Sequence, residues 1–245
     1  MDINALALVS LGLFAVTALP PGGNPGWKFT VVAFGASTTA SRGTTRIFAD
    51  RLRDALAERG VPAEVLNAGV GGNTTEMARR RFQRDVLDHE PDLVVICLGV
   101  NDSTYDVWKD PPAEAPRVSP EKYLENMAFF VREIRARGGE TILMTPQLLR
   151  WTPRMKEMYG KPPYDPANPD GFNVSLRRYV AALRELAARE KVPLVDVFAA
   201  FEAYDAVEGQ SADDLLPDGM HPNSQGHGII ADLLIPEAVR ILEAR

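Results

Sequence analysis

From Lys28 onward, short apolar runs rich in β-branched residues alternate with longer stretches whose apolar positions recur every three or four residues. Runs that are apolar throughout fit strands buried on both faces, and the longer periodic stretches fit amphipathic helices. The pattern predicts strands over residues 29–34, 63–66, 92–98, 140–144 and 192–197, the third being the most apolar. It predicts helices over 44–58, 74–87, 120–137, 174–190 and 224–244, the last with an internal proline, Pro236. Gly60 and the pair Gly138-Gly139 stand where two of these helices should stop. Strands separated by helices imply a parallel sheet covered on both faces. The expected fold class is therefore α/β: a three-layer α/β/α, flavodoxin-like doubly wound parallel sheet of about five strands.

Two stretches break this alternation. Residues 102–119 carry Pro111, Pro112 and Pro116, and residues 147–171 carry more proline and glycine among Trp151, Tyr159 and Tyr164. Long loops are usually functional when ordered, and both leave the carboxyl ends of strands, where open α/β sheets bind ligands. They are expected to wall a substrate pocket. With 245 residues, 45% of them apolar, and no internal repeat, the chain can bury one sizeable core, so residues 27–245 are expected to form a single domain.

Residues 5–19 are almost wholly apolar, interrupted by Ser10, Gly12 and Thr17 and halted by Pro20-Pro21-Gly22-Gly23. The run is shorter than the roughly 20 residues a membrane-spanning helix needs, so no stable span is expected. It has the length of a signal-peptide core, with a small-residue cleavage site at Val16-Thr17-Ala18, although Met1-Asp2-Ile3-Asn4 carries no Lys or Arg. Residues 1–26 are read as an export signal of a periplasmic or secreted protein. The alternative is a helix docked on the body of a cytoplasmic one.

A net charge of −6 without a dominant basic run argues against a nucleic-acid partner. The basic cluster Arg79, Arg80, Arg81 and Arg84 lies beside Asp85 and Asp88 in a predicted helix and reads as a solvated face. The lone cysteine, Cys97, excludes an intramolecular disulfide framework and a cysteine-rich metal site. Its apolar surroundings, Leu93 to Leu98, mark it as a buried, inert thiol.

Chemistry-bearing residues cluster after the strands. Phe34-Gly35-Ala36-Ser37-Thr38-Thr39 ends the first strand, and a small glycine-containing turn there lets a serine project over the sheet edge. A hydroxyl needs a base to become a nucleophile, and Ser and Thr are also ordinary turn residues, so this turn alone says little. After the second strand comes Asn67-Ala68-Gly69-Val70-Gly71-Gly72-Asn73-Thr74. There a free backbone N–H near a helix start can face a developing oxyanion, and Asn73 or Thr74 can cap that helix. After the third strand, Gly99-Val100-Asn101-Asp102 offers a neutral amide donor in Asn101. Before the last helix, Asp218-Gly219-Met220-His221 places a carboxylate three residues ahead of an imidazole, a spacing that can fix the tautomer. Of the three histidines, His89 reads as a solvated helix end and His227 as packing or capping within the last helix. His221 alone has a local carboxylate partner. In a parallel sheet the ends of the first three strands open on one edge, so the four segments should converge there.

Taken together, these segments resemble the SGNH hydrolase family, also called GDSL esterases and lipases, over residues 29–242. The four marks of that family are Ser, Gly, Asn and His. The resemblance implies Ser37 as nucleophile with His221 and Asp218 completing a catalytic triad, and an oxyanion hole formed by Ser37, Gly72 and Asn101. Four motifs in order are specific; the first alone is not. The family usually has Asp between the Gly and the Ser, where this chain has Ala36, so the bracing of the serine turn becomes an open question.

The reaction so implied is ester hydrolysis by acyl transfer through the serine, with no metal or organic cofactor. Relatives act on carbohydrate acetyl groups, lipids and thioesters. The polar, aromatic loops and the lack of an apolar lid point to an acetylesterase or other short-chain esterase, with sugars as candidate alcohols. Two other classes are open to such a chain. A flavin phosphate could sit at Ser37 to Ser41, but that would leave Asp218 and His221 without a role. A catalytically retired binding module, with Ala36 as its first sign of decay, would have no reason to keep Ser37, Asn101, Asp218 and His221.

Overall fold

The computed structural model describes Gly26 and residues 28–245. The expected export signal or docked helix therefore lies outside the described residues, apart from Gly26. Five parallel strands, β1 (Phe29–Gly35), β2 (Ala63–Gly69), β3 (Leu93–Cys97), β4 (Glu140–Met144) and β5 (Leu194–Val195), lie in the order β2-β1-β3-β4-β5. This is the doubly wound, flavodoxin-like order expected from the sequence. The chain reverses direction across the sheet between β1 and β3, and that switch point opens a crevice at the carboxyl ends of the strands.

The alternation along β1 explains the layers. Val31 and Ala33 point to one face, under α1 (Phe48–Glu58), α7 (Val197–Asp205), α8 (Ala212–Leu215) and α9 (Ser224–Glu243). Val32 and Phe34 point to the other, under α2 (Thr75–Asp85), α4 (Pro120–Arg135) and much of α6 (Leu176–Glu190). Both faces are apolar because both are covered. On the second face the rings of Phe34, Phe82 and Phe130 pack within 5.5 Å of one another.

Several boundaries differ from the pattern's prediction. The first helix begins at Phe48, not 44, because Asp50 accepts the Ile47 N–H at 3.2 Å and Nδ1 of His227 accepts the Phe48 N–H at 3.3 Å. His227 is thus a buried cap, in line with its expected packing within the last helix, and burial lowers its pKa to about 4. The fifth strand is reduced to two residues because Asp196 turns the chain into α7, accepting the Ala199 N–H at 3.1 Å.

The two long loops hold ordered structure of their own. Residues 153–159 form α5 (Pro153–Tyr159), capped by Thr152 and started by its proline. The aromatic residues of this stretch pack largely on one another. Trp151 stacks on Phe172 at 4.5 Å, and Tyr159, Tyr164 and Phe172 are buried. The Tyr164 hydroxyl accepts the Tyr105 N–H at 3.0 Å and so ties the two loops together.

Candidate active site

Ser37 follows β1 in a single helical turn, in which Ala36 O accepts the N–H groups of Thr39 (3.2 Å) and Ala40 (3.0 Å). Gly35 is required beneath it: a Cβ there would collide with Thr39 Oγ1 and lie 2.6 Å from Cys97 O. Ala36 is buried, and its N–H donates to Cys97 O at 3.3 Å. The bracing left open by the missing carboxylate comes instead from Arg81. This guanidinium is only 9% exposed and donates to Gly35 O (2.8 Å), Ala68 O (2.8 Å), Asn73 Oδ1 (2.7 Å) and Asp85 Oδ2 (2.9 Å). One side chain thereby links the end of β1, the end of β2 and the glycine-rich segment that follows. The reading of the arginine cluster as a solvated face is corrected at this position, since a fork of donors aimed at strand-end carbonyls must lie inside.

The second segment enters α2 with Thr74 as N-cap to Met77 N. Next to that cap, Thr75 donates its N–H (2.9 Å) and hydroxyl (2.5 Å) to Asp102 Oδ1, and its hydroxyl accepts from Asn126 at 3.1 Å. Asp102 is fully buried, and burial pushes its carboxyl up to about 6 against the pull of the Thr75 hydrogen bonds. Its Oδ2 has no partner among the described residues. Its role as the clamp between α2 and α3 (Val100–Ser103) is signalled only by a carboxylate directly following a strand-end Gly-x-Asn.

The segment that carries Asp218 and His221 is a turn in which Asp218 is exposed. Gly219 adopts φ +82°, and a Cβ there would collide with Arg150 O. Asp218 Oδ1 accepts the backbone N–H groups of Met220 (3.0 Å) and His221 (2.7 Å), and Oδ2 lies 2.7 Å from His221 Nδ1. Partial burial opposes the charge of Asp218, but these hydrogen bonds outweigh it and hold the carboxyl below its ordinary value. His221 Nε2 lies 2.9 Å from Ser37 Oγ. With Nδ1–H donated to the carboxylate, Nε2 is left as the acceptor facing the hydroxyl. Gln147 joins the two halves of the site: Thr38 Oγ1 donates to its Oε1 at 3.2 Å, and its Nε2 donates to Met220 O at 2.6 Å.

Ser37, Gly72, Asn101 and His221 line one cavity of about 340 Å³. The N–H groups of Ser37 and Gly72 have no acceptor among the described residues. Asn101 donates one amide hydrogen to Asn73 O at 3.0 Å and has a second to spare. Apolar Ala36, Leu98, Val100 and Pro146 line the cavity beside polar Arg42 and Gln147. The loop at 147–171 adds a second hollow of about 280 Å³ on which His221 and Asp218 also border, with Met155, Met158 and Tyr159. No residue of 102–119 lines the main cavity. That loop folds back through hydrogen bonds from Val118 N to Asp102 O (3.2 Å) and from Arg117 N to Thr104 O (3.0 Å), which corrects its expected place as a pocket wall. Cys97 also borders the cavity, but burial lifts its thiol to about 12, which leaves it inert. His89 is exposed at the end of a short 3₁₀ turn, away from these residues. Among the described residues no three His, Cys, Asp or Glu side chains converge as a metal set, and no helix is long and apolar enough to cross a membrane.

Comparison with known proteins gives consistent matches. Residues 33–229 match the GDSL-like Lipase/Acylhydrolase family. The chain is 34% identical over 217 residues to a Bacillus subtilis protein named "Uncharacterized lipoprotein YqeF", covering 82% of this chain and 85% of that one. It is 26% identical to an acetylxylan esterase of Geobacillus stearothermophilus, over 71% of each chain. Among solved structures, a lipase/acylhydrolase from Enterococcus faecalis superposes with a TM-score of 0.66 at 25% identity, covering 86% of this chain and 95% of that one.

Proposed function

Because the chain belongs to the GDSL-like Lipase/Acylhydrolase family and is a carboxylic ester hydrolase, we propose that it is a serine esterase in which Ser37, His221 and Asp218 form the catalytic triad. Residues 27–245 would act as the one catalytic domain. The observation that carries this reading is the unbroken line from Asp218 Oδ2 through His221 (2.7 Å) to Ser37 Oγ (2.9 Å). In the proposed cycle His221 takes the serine proton as Oγ attacks the ester carbonyl. The N–H groups of Ser37 and Gly72 and the Asn101 amide receive the oxyanion, where each donor is worth about 10²–10³ in turnover. Asp218 stabilises the imidazolium, which then protonates the departing alcohol. Water attacks the acyl-serine by the same route in reverse and releases the acid.

The proposed substrates are short-chain acyl esters, acetyl foremost, with carbohydrate hydroxyls as the alcohols. The small cavity at Ser37, lined by apolar Ala36, Leu98, Val100 and Pro146 together with Arg42 and Gln147, supports a short acyl group beside a polar alcohol. The acetylxylan esterase relative supports the same class. The test is a series of p-nitrophenyl esters from acetate to laurate, with acetylated xylo-oligosaccharide alongside, for the wild type and Ser37→Ala. Highest kcat/KM on acetate, release of acetate from the oligosaccharide and no turnover by the variant are expected. Highest activity on laurate would overturn the substrate class, and turnover by folded Ser37→Ala would overturn the nucleophile.

A further inference from the structure

An asparagine amide is nearly symmetric in shape, so something must decide which end faces an oxyanion. Asn101 serves as an oxyanion donor only if its nitrogen, not its oxygen, borders the cavity. We propose that Arg117 is the positioning residue that sets this orientation, an inference that rests on Asn101 being such a donor.

Arg117 Nη1 donates to Asn101 Oδ1 at 3.3 Å. A guanidinium carries donors only, so the amide end beside it must be the oxygen. On the other side, Asn73 O accepts from Asn101 Nδ2 at 3.0 Å, and a carbonyl tolerates only the nitrogen there. The two neighbours agree. A flipped amide would set oxygen against oxygen at Asn73 and donor against donor at Arg117. The native orientation spends one N–H on Asn73 and leaves the second for the cavity that Asn101 shares with Ser37 and Gly72.

Arg117 is itself fixed. Its Nε (2.8 Å) and Nη2 (2.7 Å) both reach Asp106 Oδ1, and Lys109 holds Asp106 Oδ2 at 2.8 Å. Asp106 is buried, and its own desolvation is outweighed by Arg117 and Lys109, which hold its carboxyl below the ordinary value. Arg117 does not line the cavity, so it acts through Asn101 and not by touching substrate. Its positive charge beside Oδ1 also polarises the amide, which strengthens the N–H at the other end. The loop at 102–119, which stays clear of the cavity, thus reaches the site from behind.

The test is a double-mutant cycle on the full chain, with kcat and KM for p-nitrophenyl acetate in Asn101→Ala, Arg117→Met and the double variant, and with melting curves to confirm folding. Asn101→Ala should lose about 10²-fold in kcat, the value of one oxyanion donor. Arg117→Met should lose about 10-fold in kcat with KM nearly unchanged, since it removes one of the two neighbours that fix the amide, and its polarising charge, while the donor itself remains. In the Asn101→Ala background the Arg117→Met change should cost nothing further, because no amide remains to orient. Losses that multiply in the double variant, or an unchanged kcat in Arg117→Met, would overturn the proposal. An unchanged kcat in Asn101→Ala would instead overturn the reading of Asn101 itself. Should Arg117→Met not fold, Asp106→Asn, which loosens the same guanidinium from behind, must show the same non-additivity with a smaller loss.

Discussion

Ser37 and Gly72 stand on loops tied to the sheet from beneath, whereas Asp218 and His221 stand on an exposed turn held by its own backbone and its flanks. On the first side, buried Arg81 bonds Gly35 O, Ala68 O and Asn73, and buried Asp102 clamps Thr75. On the second, Asp218 binds the N–H groups of its own turn, Arg150 N donates to Gly219 O at 2.8 Å, and Gln147 reaches Met220 O. The side chain of Asp218 is 46% exposed, and its contact with Arg42 is 3.4 Å. In the proposed cycle the donors for a developing charge are preorganised before reaction, which fits the rigid bracing of the first side. The imidazole of that cycle accepts and releases a proton, for which a locally held turn is sufficient. This contrast also explains how a serine turn with Ala36 in place of the usual carboxylate stays in place. Its brace is a side chain from α2, not one from the turn.

The contrast between the two sides can be broken in three places. The largest effect is expected on the exposed side: His221→Ala and Asp218→Asn should each lower kcat by about 10³-fold or more while shifting the melting temperature little, as initial rates and calorimetry would show. The braced side should behave the other way, with stability and rate falling together. Arg81→Met leaves Asp85 with Arg84 alone and strands three carbonyl or amide oxygens, and removal of one partner from a buried charged network costs about 3–5 kcal/mol. Denaturant unfolding at neutral pH checks this, and a loss under about 1 kcal/mol would show that Arg81 braces nothing.

The smallest effect has the opposite sign. Asp102 ionises near 6 in the native state against an ordinary value of 3.8. The native protein therefore binds the extra proton between those values, so the stability of this site is full below the lower value and is lost as pH rises through the higher. Asp102→Asn retains an acceptor for Thr75 without the buried charge. It should match the wild type near pH 4 and exceed its stability by up to about 3 kcal/mol at pH 8, since each pKa unit is worth about 1.4 kcal/mol. Equal stability gains at both values would mean that the carboxylate carries no desolvation penalty.

The strands and the three segments that follow β1, β2 and β3 are legible in the sequence because each is signalled locally, by an apolar run followed by glycine, serine or asparagine, and Asp218 with His221 is legible through its own spacing before the last helix. Arg81 is not. Helical periodicity marks it as one of four arginines on a polar face, while its partners Gly35 and Ala68 lie on two different strands, and nothing local announces them. Asp102 is hidden for the same reason, since its partner Thr75 lies 27 positions away. The fifth strand is shorter than its pattern because Val197 and Phe198 continue the apolar run, yet Asp196 caps a helix that begins at Val197. Proline-rich surroundings give Tyr164 the look of a ligand-facing loop residue, whereas it packs with Tyr159 and Phe172 in the core beneath the sheet face of Val31 and Ala33.

The most direct test of a reactive Ser37 driven by His221 is labelling with a fluorophosphonate probe, with the modified peptide located by mass spectrometry. The expected result is a single adduct on Ser37 in the wild type, none in Ser37→Ala, and labelling slowed by orders of magnitude in folded His221→Ala. An adduct at another residue, or labelling of Ser37 at the wild-type rate in the His221→Ala protein, would contradict it.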